Sequence, residues 1–268
     1  MTATDASRAG TPPAGEAPLI EARDLTKYFG SVIALHEVSL HVRQGEVLCL
    51  LGDNGAGKST LIKILTGVHR PDAGELRWDG VPVVLRSPRD AIALGITVVF
   101  QDLAIVDQMS IYRNLFMGRE AEVSRRIGPL VVLDTARAQA AARDALADIG
   151  LSIRNVDQSV GTLSGGERQS IAIARAVYFQ SKLLILDEPT SALSVKESRK
   201  VLHYIEQAKA SQVAVVVISH NIHSLHAVVD RVMILAHGRT VGEFPEESGQ
   251  PLPSVDAIGD LIVETSSI

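Results

Sequence analysis

The chain has 268 residues, 46 % of them apolar and 21 % charged, with a formal charge of −5; this is the balance of an ordinary globular protein and gives no general attraction to a phosphate backbone. Its longest apolar runs, such as Val213–Ile218, fall far short of the roughly 18 to 20 residues a membrane-spanning helix needs, which excludes a helical span. The single cysteine, Cys49, excludes an internal disulfide or a cysteine metal cluster and is expected to pack in the core.

Taken in chain order, Met1–Ala17 is rich in Ala, Pro, Gly and Thr with no apolar segment of signal-peptide length, so residues 1–17 are expected to form a disordered leader on a cytoplasmic protein. Leu19–Val42 alternates apolar and polar residues and suits an antiparallel layer. Four short apolar runs then end abruptly in polar groups or glycine: Val47–Leu51 before Gly52, Ile96–Phe100 before Gln101, Leu183–Leu186 before Asp187, and Val213–Ser219 before His220. Runs apolar on both faces suit a parallel sheet covered on both sides, and ligands bind beyond the carboxyl ends of such strands. The four ends are therefore expected to converge on one site.

Between the strands, Ser59–Leu65, Asp134–Ile149 and Glu167–Phe179 carry helical patterns, with Gly150 as a natural stop for the second. The region from about Asp102 to Leu163 shows no sheet strand and is expected to be a mostly helical insertion. Arg231–Leu235 and Arg239–Phe244 flank Ala236-His237-Gly238 as a hairpin at a sheet edge. From Pro245 onward a loose tail is expected over residues 245–268, with Val255–Val263 as a candidate short helix. The main domain is placed at residues 18–244. His220, His223 and His226 recur every third residue, but a helix would spread them around its surface and no Cys or nearby carboxylate completes a metal set; His223 and His226 are expected on a helix surface.

Gly52-Asp53-Asn54-Gly55-Ala56-Gly57-Lys58-Ser59 fits the phosphate-binding pattern G-x-x-x-x-G-K-[ST], and it lies after an apolar strand and before a helix, as the mechanism requires. Glycines let backbone N–H groups face phosphate oxygens, the helix N-terminus adds positive potential, Lys58 reaches the β- and γ-phosphates, and Ser59 offers its hydroxyl to Mg²⁺. Leu183–Leu186 ending in Asp187 supplies a second magnesium residue. Strand alternation turns Glu188 in a different direction, from which it can polarise a water for attack on the γ-phosphate.

With these motifs, Leu163-Ser164-Gly165-Gly166-Glu167 makes the chain resemble an ABC-type ATPase from about Leu19 to Phe244. The resemblance implies an α/β P-loop NTPase core with an antiparallel β layer and an inserted helical subdomain at about 102–163. It implies ATP and Mg²⁺ as ligands and ATP hydrolysis as the activity. Residues Gly52, Asn54, Gly55, Ala56, Gly57, Lys58, Ser59 and Thr60 would contact the nucleotide, and Tyr28 would stack on adenine. Gln101 would sense the γ-phosphate and Mg²⁺, and His220 would support the transition state. Ser164, Gly165 and Gly166 would close over the ATP held by a second copy of the chain, so a nucleotide-sandwich dimer is implied.

Narrower stretches, among them Gly67–Gly74, Ser87–Ala91, Ala192–Glu197 and Ile218–Asn221, resemble the branch that imports monosaccharides, in its single-cassette form. That branch implies separate transmembrane permease subunits docking near Gln101–Gly118, an extracytoplasmic sugar-binding protein, and a peripheral position on the inner face of the membrane. The same pattern is compatible with an importer of another small solute. Two other classes compete: a non-transport ATPase of the same type acting on nucleic acid or ribosomes, and a non-catalytic ATP-binding module. The acidic charge disfavours the first, and Glu188 with His220 disfavours the second. Two positions depart from the pattern, Ser194 where many relatives carry Asp, and Glu167 where Gln is frequent.

Overall fold

A computed structural model describes residues 17–99, 105–149, 151, 153, 155–179, 181–191, 193–245 and 250–266. In chain order the elements are β1 (Ile20–Phe29), β2 (Val32–Val42), β3 (Val47–Leu51), α1 (Lys58–Leu65), β4 (Ala73–Trp78), β5 (Val81–Val83), α2 (Pro88–Leu94) and β6 (Ile96–Val99). They continue with α3 (Ile111–Phe116), β7 (Ser124–Ile127), β8 (Leu130–Leu133), α4 (Thr135–Asp148), α5 (Gly165–Tyr178), β9 (Leu183–Asp187), α6 (Val195–Ala210), β10 (Ala214–Ser219), β11 (Arg231–Ala236), β12 (Arg239–Phe244) and α7 (Val255–Ser266).

The main sheet has the order β12-β11-β3-β10-β9-β6 and is parallel except for the antiparallel edge strand β12. Alternation in β3 explains why its residues are apolar without interruption. Val47, Cys49 and Leu51 pack into one core with α3, α4, α5 and α6, whereas Leu48 and Leu50 pack into a second core with α1 and the N-terminal layer. Cys49 is fully buried and free, as its setting in the sequence suggested. The N-terminal layer is a four-stranded antiparallel sheet of order β2-β1-β4-β5. Sequence patterning identified its first two strands only.

Between β6 and β9, the helical insertion differs from expectation in one respect: β7 and β8 form a two-stranded hairpin, with Ile127 opposite Leu130 around Gly128-Pro129. Its residues Arg125, Arg126, Ile127, Leu130 and Val131 are exposed, so no buried face imposes the alternation that marks a strand. In the tail, the candidate helix at Val255–Val263 is present as α7 and extends to Ser266. The helix α7 buries Ile258 completely in the larger core, with Val255, Leu261 and Ile262 packed beside it. His223 and His226 lie in turns rather than on a helix, and His226 Nε2 is 2.8 Å from the carbonyl of Pro253, tying the approach to α7 down. The proposed leader falls on residues 1–16, outside those described, apart from Ala17.

Candidate functional site

Parallel register sets the site. Ser219 pairs with Leu51, Ile218 with Asp187, and Val99 with Leu186, so the carboxyl ends of β3, β10, β9 and β6 lie side by side. A cleft of about 620 Å³ opens there, lined by Val32, Ile33 and Ala34 of β2, by Asp53 through Thr60, and by Asp187, Glu188, Ser191 and His220. Three of the four strand ends thus deliver the predicted polar residues to one cavity. The fourth, Gln101, lies outside the described residues.

Glycine is required at two points of the loop between β3 and α1. Gly57, with φ +106°, precedes α1, and a Cβ there would stand 2.7 Å from the Ala34 carbonyl oxygen and 2.9 Å from Leu35 Cδ2. At Gly52 a Cβ would stand 2.2 Å from the Leu235 carbonyl oxygen. The loop can therefore pack against β2 and β11 only without side chains at these positions. Lys58 opens α1 and curls back, its ammonium donating to the carbonyls of Gly52 at 2.5 Å and Asp53 at 3.0 Å. Burial pushes the Lys58 pKa down, opposed by the charges of Glu188, Asp187 and Asp53.

Asp187 ends β9 with its carboxyl pKa raised, chiefly by burial and further by the neighbouring Glu188, with Lys58 opposing. Glu188 is not a further strand residue: its φ of +49° puts it in the left-handed region, which a glutamate rarely adopts. That turn is held by its own N–H donating to the Ile218 carbonyl at 2.9 Å, and by Ser191 Oγ donating to the Glu188 carbonyl at 2.9 Å. The backbone at Glu188 thus follows a turn and not strand alternation, and both carboxylates line the cleft expected for them. His220 Nδ1–H donates to Glu188 Oε1 at 2.7 Å; the glutamate side chain is 15 % exposed and the histidine 61 %. A shielded carboxylate paired with an open imidazole, beside a lysine and a helix N-terminus, is equipped to accept a proton next to a bound anion.

Ser164, Gly165 and Gly166 do not line this cleft. Ser164 is the N-cap of α5, where its hydroxyl accepts from the Glu167 N–H at 3.3 Å while Glu167 Oε2 accepts from the Ser164 N–H at 2.9 Å. The glutamate at 167 therefore completes a capping box. Gln169, one turn on, donates to the Pro189 carbonyl at 2.5 Å and links α5 to the segment after Glu188. Tyr28 is likewise outside the lining: it is exposed on β1, opposite Ile33, with its N–H donating to Asp72 Oδ2 at 2.7 Å. Of the lining residues, Val32, Ile33, Ala34 and Ser191 were missed, and Asp53 was read as part of the phosphate loop but not as a contact. The aliphatic three carry no chemical signature, and Ser191 was legible only as the third residue after Glu188.

The ABC transporter family model matches residues 35–191, from β2 to the turn after Glu188. The chain is 44 % identical over 223 residues to the xylose/arabinose import ATP-binding protein of Sulfolobus acidocaldarius, covering 83 % of this chain and 86 % of that one. It is 45 % identical over 224 residues to the fructose import ATP-binding protein of Rhizobium meliloti, with the same coverage. Among solved structures it resembles the dimeric post-hydrolysis state of an ATP-binding cassette bound to ADP and phosphate, with a TM-score of 0.70, 24 % identity, and coverage of 84 % of this chain and 97 % of that one.

Proposed function

The chain belongs to the ABC transporter family as an ATP-binding, ATP-hydrolysing subunit, and from that premise we propose that it powers import of a simple sugar through separate permease subunits. The observation that carries the hydrolytic part is the Glu188–His220 pair in one cleft with Lys58, Ser59 and Asp187. The sugar reading is supported by identity of 44 % and 45 % to a xylose/arabinose and a fructose import ATP-binding protein along most of each chain.

Backbone N–H groups of the Gly52–Ser59 loop and the N-terminus of α1 bind the phosphates of ATP, and Lys58 exchanges its loop carbonyls for phosphate oxygens. The Ser59 hydroxyl and the half-buried Asp187 carboxylate are hard oxygen donors in one cleft, and burial leaves Asp187 short of positive charge, so they fit Mg²⁺, with Gln101 as a further ligand. When bound, that ion supplies charge neutralisation at phosphate oxygens. Glu188 orients the attacking water and takes its proton, and His220 holds the Glu188 carboxylate while its open edge supports the γ-phosphate. Tyr28, across the β1–β2 hairpin from the cleft, stacks on adenine.

A second copy supplies Ser164, Gly165 and Gly166 to the same nucleotide, and closure of the two copies drives the permease, docked near residues 101–118. Among the described residues no helix is long and apolar enough to cross a membrane, which fits a peripheral subunit on the inner face. An extracytoplasmic sugar-binding protein completes the importer. Mass spectrometry of proteins copurifying with the chain from gently solubilised native membranes tests this reading. A multispanning permease with a secreted binding protein is expected, and recovery of only ribosomal or nucleic-acid partners would overturn it.

A further inference from the structure

Glu197 belongs to two helix starts at once. On its own helix, α6, its Oε2 accepts from the Ser194 N–H at 3.0 Å and from the Ser194 hydroxyl at 2.7 Å, while its N–H donates to Ser194 Oγ at 3.3 Å. Its other oxygen, Oε1, accepts from the N–H of Gly166 in the first turn of α5, at 3.3 Å. The approach is close enough that a Cβ on Gly166 would lie 2.5 Å from Glu197 Oε1 and 2.6 Å from its Cγ. A side chain at 166 would therefore displace this carboxylate from its place. These hydrogen bonds, led by that from the Ser194 hydroxyl, hold the Glu197 pKa below the ordinary carboxylate value.

Ser194 caps α6, and the Glu197 carboxylate three residues on reaches across to α5. The segment Pro189–Ser194 is consequently fastened to α5 at both ends, by Gln169 donating to the Pro189 carbonyl and by Glu197 accepting from Gly166. Glu188 immediately precedes that segment.

We infer that Glu197 is a positioning residue, which fixes the Ser164–Gly166 turn relative to the segment after Glu188 so that both meet a nucleotide shared between two copies in register. This rests on the reading that residues 164–166 serve the partner's ATP. The test uses the full chain with Glu197→Ala and Glu197→Gln; the latter keeps an oxygen acceptor for the Gly166 N–H, and Ser194 still caps α6 in both.

In Glu197→Ala, amide exchange at Gly166 should accelerate at least about tenfold and kcat for ATP should fall about tenfold. Binding of a fluorescent ATP analogue to the dilute monomer should stay within about twofold of wild type, and Glu197→Gln should recover turnover to within about threefold. The inference is overturned by unchanged Gly166 exchange, by equal losses in monomer binding and turnover, or by failure of Glu197→Gln to recover. Absence of ATP-dependent turnover in the wild type would instead overturn the hydrolytic reading and the inference with it.

Discussion

Replacing Glu188 with glutamine removes one proton-accepting group and changes little else. The side chain keeps its size, its amide oxygen can still accept from His220 Nδ1, and the left-handed turn at φ +49° remains tied to Ile218 and Ser191. A general base contributes about 100- to 10,000-fold to rate, which at 1.36 kcal/mol per tenfold corresponds to roughly 3 to 5 kcal/mol of barrier. The shielding of Glu188 favours the upper part of that range, because bulk water has little access to substitute for the carboxylate. Single-turnover hydrolysis of radiolabelled ATP should slow by that factor while nucleotide affinity stays near wild type. Size-exclusion chromatography should show an ATP-bound dimer that persists, since hydrolysis no longer reopens it. Turnover within tenfold of wild type would refute the argument, because another group would then be taking the proton.

Three further substitutions probe the scaffold. Gly57→Ala forces a Cβ to 2.7 Å from the Ala34 carbonyl at φ +106°, so a loss of about 1 to 3 kcal/mol in stability should accompany loss of ATP-analogue binding, read by thermal melting and fluorescence. Arg231 is buried between Glu46, whose Oε1 accepts from Nε at 2.6 Å, and Glu243; Arg231→Ala leaves the buried Glu46 with the Arg43 N–H at 2.7 Å and the more distant Arg43 guanidinium, and should cost about 3 kcal/mol in urea denaturation. The Asp72 carboxylate is held below its ordinary 3.8 by the Tyr28 N–H and by Lys27. A depressed carboxylate stabilises the fold above its unfolded value and loses that contribution as pH falls through the lowered one. The advantage of wild type over Asp72→Asn in denaturant melts should therefore be present at neutral pH and vanish in strong acid.

What the sequence disclosed follows from which residues had a single job. Val47–Leu51 is apolar on both faces because both faces are buried, and its observed bounds match the expected ones. Leu183–Asp187 and Ala214–Ser219 were legible for the same reason, to within one residue. The phosphate loop was legible because tight packing against Ala34 and Leu235 demands glycine at fixed spacing. The hairpin of β7 and β8 was not, since exposed arginines and aliphatics carry no burial period. Nor was the left-handed backbone of Glu188, which is set by tertiary contacts to Ile218 and Ser191 and not by strand alternation. The two-helix contact of Glu197 was hidden in the same way: a capping box is a local pattern, but the reach to Gly166 spans 31 positions.

Uptake of radiolabelled xylose, arabinose, fructose and ribose by cells lacking this chain tests the central claim most directly. The account predicts that uptake of at least one of these sugars is lost, returns with the wild-type chain, and does not return with Glu188→Gln. Undiminished uptake of all four, or full restoration by Glu188→Gln, would contradict it.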